Sequence, residues 1–170
     1  MKTITDLFIN RILTNANHNY RTLYVAIDVH GTLTFPTKTT YLTGNTGRAG
    51  SNEEVFSRES PSSFYFYPNA INALLELQRN PCFQVKFIVW TSGKQDAIDE
   101  VFEKLKANGI KNVFINENPD FLGNEYADFS KKFCFDVLLD DKAGFEPESD
   151  WTKLYDFLRY TDWKKMMSKC

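Results

Sequence analysis

The sequence predicts a single α/β domain of three layers, in which helices cover both faces of a central parallel sheet. Three observations support this prediction. Apolar runs of strand length alternate with segments whose apolar residues recur at helical spacing. The first run is apolar at consecutive positions, which is typical of strands buried on both faces. The 170 residues are enough for one domain with a substantial core.

The first predicted helix spans about residues 3–15, where Thr3 and Asp6 have the spacing of a capping box. Apolar residues follow them at helical intervals. After a polar loop, the apolar run at 23–27 predicts the first strand, which ends in Asp28. We therefore expect Asp28 at the carboxyl edge of the sheet, where open α/β folds bind their ligands.

Residues 35–63 show no sustained period and contain three glycines with many Ser, Thr and Asn, so an irregular insertion is predicted there. Beyond it, Pro68 suits the first position of a helix that Asn80 and Pro81 end. Asp150 is expected to cap the last helix. The other predicted elements are strands at 83–90, 112–115 and 133–139 and a helix at 94–107.

Acidic and hydroxyl groups follow three of the predicted strands. Right-handed crossovers bring the carboxyl ends of parallel strands to one edge of the sheet. We therefore expect Asp28, Thr91 and the neighbouring Asp140 and Asp141 to converge. Carboxylates so close together repel one another, and a divalent cation removes the repulsion. Mg²⁺ fits best, because it binds oxygen ligands and keeps positions for water and phosphate.

The stretch VAIDVHGTL at 25–33 resembles the first motif of the haloacid dehalogenase (HAD) superfamily, hhhDxDGT[LV]. The matching residues are Asp28, Gly31, Thr32 and Leu33. His30 departs from the motif, since most phosphatases of the family carry Asp there. Gly31 would let the backbone turn sharply and approach a ligand closely.

Two later segments resemble further motifs of the family, in the same order along the chain. Thr91 is similar to the second motif, a Ser or Thr that ends the second strand. Asp140 and Asp141 are similar to the acidic fourth motif. The sequence DVLLDDKAG at 136–144 resembles the DLLIDDR stretch of the 5′(3′)-deoxyribonucleotidases in this superfamily.

The resemblance implies a Rossmann-like HAD fold and phosphoryl transfer through an aspartyl-phosphate. Asp28 would be the nucleophile. His30 would act as acid and base, which an imidazole can do because its ordinary pKa is about 6.5. Mg²⁺ would be held by Asp28, the main-chain oxygen of His30 and Asp140, with Asp141 acting through water.

The resemblance also implies hydroxyl groups and a lysine around the phosphoryl oxygens. These would be Thr91, Ser92 and Lys131, with Lys132 as the alternative for the lysine of the third motif. A cation and hydrogen-bond donors are needed because the transferring group carries spread negative charge. The insertion at 35–63 is too short for a large helical cap and would form a flap or minimal cap.

Each assignment has an ordinary structural alternative. In isolation, Asp140 and Asp141 would be a solvated turn. Thr91 or Ser92 could cap the helix that follows. Lys131 could be a surface lysine.

The sequence thus predicts a Mg²⁺-dependent phosphatase that acts on a small-molecule phosphate ester, with a nucleotide as one candidate. Two alternatives stay open. His30 in place of Asp is also compatible with a non-catalytic domain that binds phosphate or a nucleotide. A polynucleotide-end phosphatase is the other, but the net charge of −2 argues against nucleic-acid binding, which usually needs a basic face.

Composition also gives expectations about location. No apolar run approaches the roughly 20 residues needed to span a bilayer, and the N-terminus lacks the features of a signal peptide. The three cysteines have no metal-ligand spacing, so we expect thiols in a reducing compartment. The prediction is a cytoplasmic protein without membrane contact.

Overall fold

The computed structural model describes residues 4–17, 21–36, 64–120 and 133–166. Within these ranges, helices and strands alternate along the chain. The helices are α1 (Ile4–Asn17), α2 (Ala70–Arg79), α3 (Gln95–Ala107), α4 (Pro147–Tyr160) and α5 (Trp163–Met166). The strands are β1 (Thr22–Asp28), β2 (Thr34–Pro36), β3 (Phe64–Phe66), β4 (Gln84–Trp90), β5 (Val113–Ile115) and β6 (Val137–Leu139).

A four-stranded parallel sheet has the strand order β5-β4-β1-β6. The central strand, β1, pairs with β4 over its whole length, from Thr22 opposite Gln84 to Asp28 opposite Trp90. Helices flank this sheet, which confirms the predicted α/β class and the parallel arrangement and is compatible with a Rossmann-like fold. The strands β2 and β3 form a separate antiparallel pair.

One buried cluster joins the sheet to the helices. Leu23, Val25 and Ile27 of β1 belong to it together with Phe8 of α1 and Trp151 of α4. The three β1 residues alternate along the strand, so their side chains point to the same face of the sheet. Burying each such side chain stabilises the fold by about 1.5–3 kcal/mol. A slip of one residue would move all three to the opposite face of the sheet, so the core fixes the register and the positions of the strand ends.

Two helices begin at least two residues away from their predicted starts. Helix α2 begins at Ala70, because Pro68 lies in a turn before it. Helix α4 begins at Pro147, so Asp150 lies inside the first turn and does not precede the helix. Its carboxylate accepts a hydrogen bond of 3.0 Å from the main-chain N of Glu146. The prediction that Asp150 is the capping residue before the helix is therefore wrong, although its side chain satisfies a main-chain donor at that end.

The last strand is shorter than predicted. It begins at Val137 and not at residue 133. The main-chain N of Tyr24 donates to the carboxylate of Asp136 at 2.9 Å. The Asp136 side chain thus accepts the hydrogen bond that the main chain of a longer β6 would have accepted. Ladder pairing between β1 and β6 therefore starts at Val137.

The predicted insertion at 35–63 has paired ends. Thr34 lies opposite Phe66, and Phe35 lies opposite Tyr65. The part of the insertion between residues 37 and 63 lies outside the described residues, so the flap or minimal cap stays a prediction.

The cysteines differ from expectation in one respect. Cys82 is disulfide-bonded, whereas Cys134 is a free thiol. A disulfide requires the two Cα atoms to approach within about 4.4–6.8 Å, and the spacing of cysteines along the chain does not reveal such an approach. Across the described ranges, no helix has the length and apolar character needed to cross a bilayer.

Candidate functional site

The carboxyl edge of the parallel sheet brings together three of the residues that the sequence singled out. Asp28 ends β1 opposite Trp90, the last residue of β4, and Thr91 comes next. On the other side, β6 ends opposite Ile27, so Asp140 follows at the level of Asp28. Neighbouring strands lie about 4.8 Å apart. The three residues are therefore neighbours at one edge.

A tight turn follows β1. The main-chain N atoms of Leu33 and Thr34 both donate to the main-chain oxygen of Val29, at 3.1 and 2.9 Å. Gly31 has a φ of 90°, and a Cβ there would lie 3.1 Å from Oδ2 of Asp141. Glycine is required by the positive φ and by the close approach of this carboxylate.

The hydroxyl of Thr32 connects two acidic residues of the site. Its Oγ1 accepts a hydrogen bond of 2.8 Å from the main-chain N of Asp141. It lies 3.3 Å from Oδ2 of Asp28 and 3.5 Å from Oδ1 of Asp141. A hydroxyl has a single proton to donate, and the shorter contact favours donation to Asp28. Because Thr32 is fully buried, this connection is protected from water.

Asp140 is held by the short 3-10 turn that follows it, Asp141–Ala143. Its Oδ1 accepts hydrogen bonds from the main-chain N of Lys142 at 2.8 Å and of Ala143 at 3.3 Å. Within the described residues, its Oδ2 makes no hydrogen bond. Asp140 is thus fixed through one carboxylate oxygen, while the other stays available to a ligand.

The electrostatics of the site centre on Asp28. Its pKa is raised above the ordinary value, first by burial and second by the negative charge of Asp140. A hydrogen bond from the main chain at Val29, the charge of Lys142 and the Thr32 hydroxyl act in the opposite direction without cancelling the rise. Burial and a like charge both disfavour the ionised form, so a cation beside Asp28 and Asp140 would stabilise the pair.

The three carboxylates do not form one cluster. Among the residues that the structure describes, no three His, Cys, Asp or Glu side chains are arranged to hold a metal ion, and Asp141 faces the turn at Gly31. Mg²⁺ usually takes one or two carboxylates together with water and phosphate. The Asp28 and Asp140 carboxylates are two oxygen donors of the kind that Mg²⁺ takes.

A second turn lies beside Asp28 and starts at Thr91. The Thr91 side chain is buried, and its Oγ1 accepts a hydrogen bond of 3.1 Å from the main-chain N of Gly93. No acceptor for the hydroxyl proton occurs among the described residues, so the proton is available to a ligand. Ser92 is exposed. The residue before α3 is Lys94, so the alternative that Thr91 or Ser92 caps this helix is wrong.

The imidazole of His30 lies against this second turn. A Cβ on Gly93 would be 3.2 Å from Cε1 of His30 and 3.2 Å from Oγ1 of Thr91. The His30 side chain is exposed. The imidazole therefore lies close to the Thr91 hydroxyl and is accessible to solvent.

Asn116 is a residue of the site that the sequence did not indicate, because it lies in a predicted loop. Its Oδ1 accepts a hydrogen bond of 2.9 Å from the main-chain N of Thr91. Its Nδ2 donates to the main-chain oxygen of Thr91 at 2.7 Å. A positive φ of 50° at Asn116 gives the chain the bend that these bonds need, and only a general preference of Asn for turns could have suggested it.

Lys131 and Lys132, the candidates for the phosphate-binding lysine, lie outside the described residues. Comparisons of the chain with protein-family models, with curated proteins and with solved structures found no match. The side chains at the carboxyl edge of the sheet and the motif that contains Asp28 are therefore the features that indicate a function.

Proposed function

We propose that this protein is a Mg²⁺-dependent phosphomonoester hydrolase of the HAD type, in which Asp28 is the nucleophile. The observation that carries the proposal is the environment of Asp28. Its carboxylate has a raised pKa, with burial as the largest cause and Asp140 as the next. It lies at the sheet edge next to Thr91, and the imidazole of His30 lies against the same turn. A half-buried, negatively charged pair beside a hydroxyl proton without an acceptor among the described residues suits a ligand that combines a cation with phosphate.

In the first step, a carboxylate oxygen of Asp28 attacks phosphorus. The bond between phosphorus and the ester oxygen breaks, and that oxygen leaves as an alcohol after taking a proton from His30. The product is a phosphoryl group on Asp28 and a neutral imidazole. A carboxylate nucleophile divides one slow displacement into two faster ones.

In the second step, water attacks the same phosphorus atom and His30 takes its proton. The bond between phosphorus and the Asp28 oxygen breaks, which releases inorganic phosphate. Both side chains return to their initial states, so the net reaction is hydrolysis of the ester.

The surrounding groups stabilise the charge on the phosphoryl oxygens. Thr91 would donate its hydroxyl proton, with Ser92 and the third-motif lysine, Lys131 or Lys132, as further donors. Asp28, Asp140 and the main-chain oxygen of His30 would hold Mg²⁺, which when bound supplies positive charge to those oxygens.

A phosphate- or nucleotide-binding domain without catalysis is the second candidate function. The observation that favours it is the imidazole at position 30, where most HAD phosphatases carry Asp. A nucleotide is a candidate ligand in either case, because the stretch at 136–144 resembles that of the deoxyribonucleotidases.

A phosphate-release assay with Mg²⁺ tests the proposal. The substrates would be p-nitrophenyl phosphate and a panel of nucleoside and sugar monophosphates. We expect hydrolysis by the wild type and a loss of at least about 1,000-fold in kcat for Asp28→Asn. Asp156→Asn is the matched control, since Asp156 is exposed on α4 and should leave kcat unchanged. Binding of a phosphate ester without hydrolysis of any substrate would favour the binding domain and overturn the proposal.

A further inference from the structure

We propose that Asn116 is a positioning residue, whose side-chain amide holds Thr91 where its hydroxyl can donate to a phosphoryl oxygen. The inference rests on the proposed function and adds a residue that the HAD-like motifs in this sequence do not include. Asn116 is not a catalytic residue, because it acts through Thr91.

The two hydrogen bonds of the Asn116 amide replace two main-chain hydrogen bonds that a longer β5 would make. The last ladder pair between β4 and β5 joins Val89 to Ile115. The main-chain N of Asn116 then donates to the main-chain oxygen of Val89 at 3.0 Å, and the chain turns away with a φ of 50°. A longer β5 would supply the next donor and acceptor along β4. Here the side chain supplies them, at 2.9 and 2.7 Å from the main-chain N and O of Thr91.

These hydrogen bonds fix the main chain of Thr91 directly after β4. Both of its main-chain groups are paired with Asn116, and its Oγ1 accepts from the main-chain N of Gly93. The proton of this hydroxyl has no acceptor among the described residues. A donor that is fixed before the substrate arrives loses less freedom on binding and on reaching the transition state.

A second asparagine provides an internal comparison. Asn112 precedes β5, as Asn116 follows it, and has a similar φ of 55°. Within the described part of the chain, its amide makes a single long contact, 3.4 Å from the main-chain oxygen of Val85. Because Val85 lies near the start of β4, this asparagine is at the opposite end of the sheet from the candidate site.

The experiment compares Asn116→Gly with Asn112→Gly in the full chain. Glycine accepts a positive φ, so each variant removes an amide without straining the backbone. We expect Asn116→Gly to lower kcat/KM for p-nitrophenyl phosphate with Mg²⁺ at least about tenfold, mainly through kcat. Asn112→Gly should keep kcat/KM within about twofold of the wild type. The Tm should fall more in Asn116→Gly, which loses two hydrogen bonds, than in Asn112→Gly, which loses one long contact.

Hydrogen exchange of the Thr91 amide gives a readout that does not depend on activity. It should become at least about tenfold faster in Asn116→Gly, because opening no longer breaks a hydrogen bond, and should be unchanged in Asn112→Gly. Equal kcat/KM in the two variants, with an active wild type, would overturn this inference and leave the proposed function standing. An inactive wild type that also binds no inorganic phosphate would overturn the proposed function and, with it, the role of Asn116.

Discussion

The indole Nε1 of Trp151 donates a hydrogen bond of 2.8 Å to the main-chain oxygen of Thr32. Trp151 is fully buried in α4, and its ring meets that of Phe145 edge-on with centroids 5.0 Å apart. Thr32 in turn contacts Asp28 and the main chain of Asp141. The helical layer thus holds the turn at the candidate site directly from the core.

Replacing Trp151 by Phe should weaken both stability and activity. The main-chain oxygen of Thr32 would be left without this partner, which costs about 1–3 kcal/mol of unfolding free energy, and the turn beside Asp28 would lose its anchor. Denaturant unfolding and kcat/KM measure the two effects. Trp163→Phe is the control, since Trp163 donates a comparable bond of 3.1 Å to the main-chain oxygen of Leu158. Equal activity in the two variants would contradict the anchoring role.

Asp28→Asn should stabilise the protein in the absence of metal. Burial and the charge of Asp140 raise the pKa of Asp28 above its reference value of 3.8. A carboxyl group whose folded pKa is raised destabilises the fold when ionised, and this penalty is present above the folded pKa and absent below the unfolded one. The Tm of Asp28→Asn should exceed that of the wild type at neutral pH, and the difference should shrink as pH falls towards the reference value. A lower Tm at pH 7 would show that the ionised carboxylate stabilises the fold.

The positions of Asp28, Thr91 and Asp140 could be predicted from the sequence. Each follows an apolar run, and the alternation of strands with helices makes the sheet parallel, so their convergence follows from topology. The pairing of Asp28 with Trp90 at the strand ends agrees with this. Prediction succeeded here because hydrophobic burial sets the register and the register sets the strand ends.

Contacts between a side chain and a distant main-chain atom were not predictable. Trp151 lies in α4, and the acceptor of its indole N–H is 119 residues away along the chain. Asn116 directly follows the strand predicted at 112–115, and nothing in the sequence indicates that its side chain binds the main chain of Thr91. In both cases the bond depends on how the turns bend in three dimensions, which apolar periodicity does not encode.

Gly93→Ala should impair catalysis by displacing His30. The added methyl would lie 3.2 Å from Cε1 of His30 and 3.2 Å from Oγ1 of Thr91. Thr91 is buried and bonded to Asn116, so the exposed imidazole is the group that moves. We expect kcat to fall about tenfold, because the displaced imidazole is misaligned for proton transfer.

A double-mutant cycle with His30→Asp distinguishes displacement of the imidazole from general damage to the turn. Asp is shorter than His and restores the usual residue of the HAD motif, so His30→Asp should keep or increase turnover. Gly93→Ala should cost less in that background than in the wild type, giving a coupling between the two sites. Strictly additive effects on kcat would contradict a contact between His30 and residue 93.

Binding of Mg²⁺ should reverse the order of stability between the wild type and Asp28→Asn. Burial and the negative charge of Asp140 raise the pKa of Asp28, and a cation held by both carboxylates offsets these two effects. At a concentration 100 times its Kd, a ligand stabilises the folded state by about 2.7 kcal/mol, which corresponds to a rise in Tm of about 5–10 °C for a domain of this size.

Asp140→Asn is the matched variant, since its side-chain oxygen can still accept the bonds from Lys142 and Ala143. A thermal-shift titration should therefore show a large Mg²⁺ response in the wild type and a strongly reduced one in both variants. Equal shifts in all three proteins would place the cation elsewhere, and the carboxylate pair would then need another explanation.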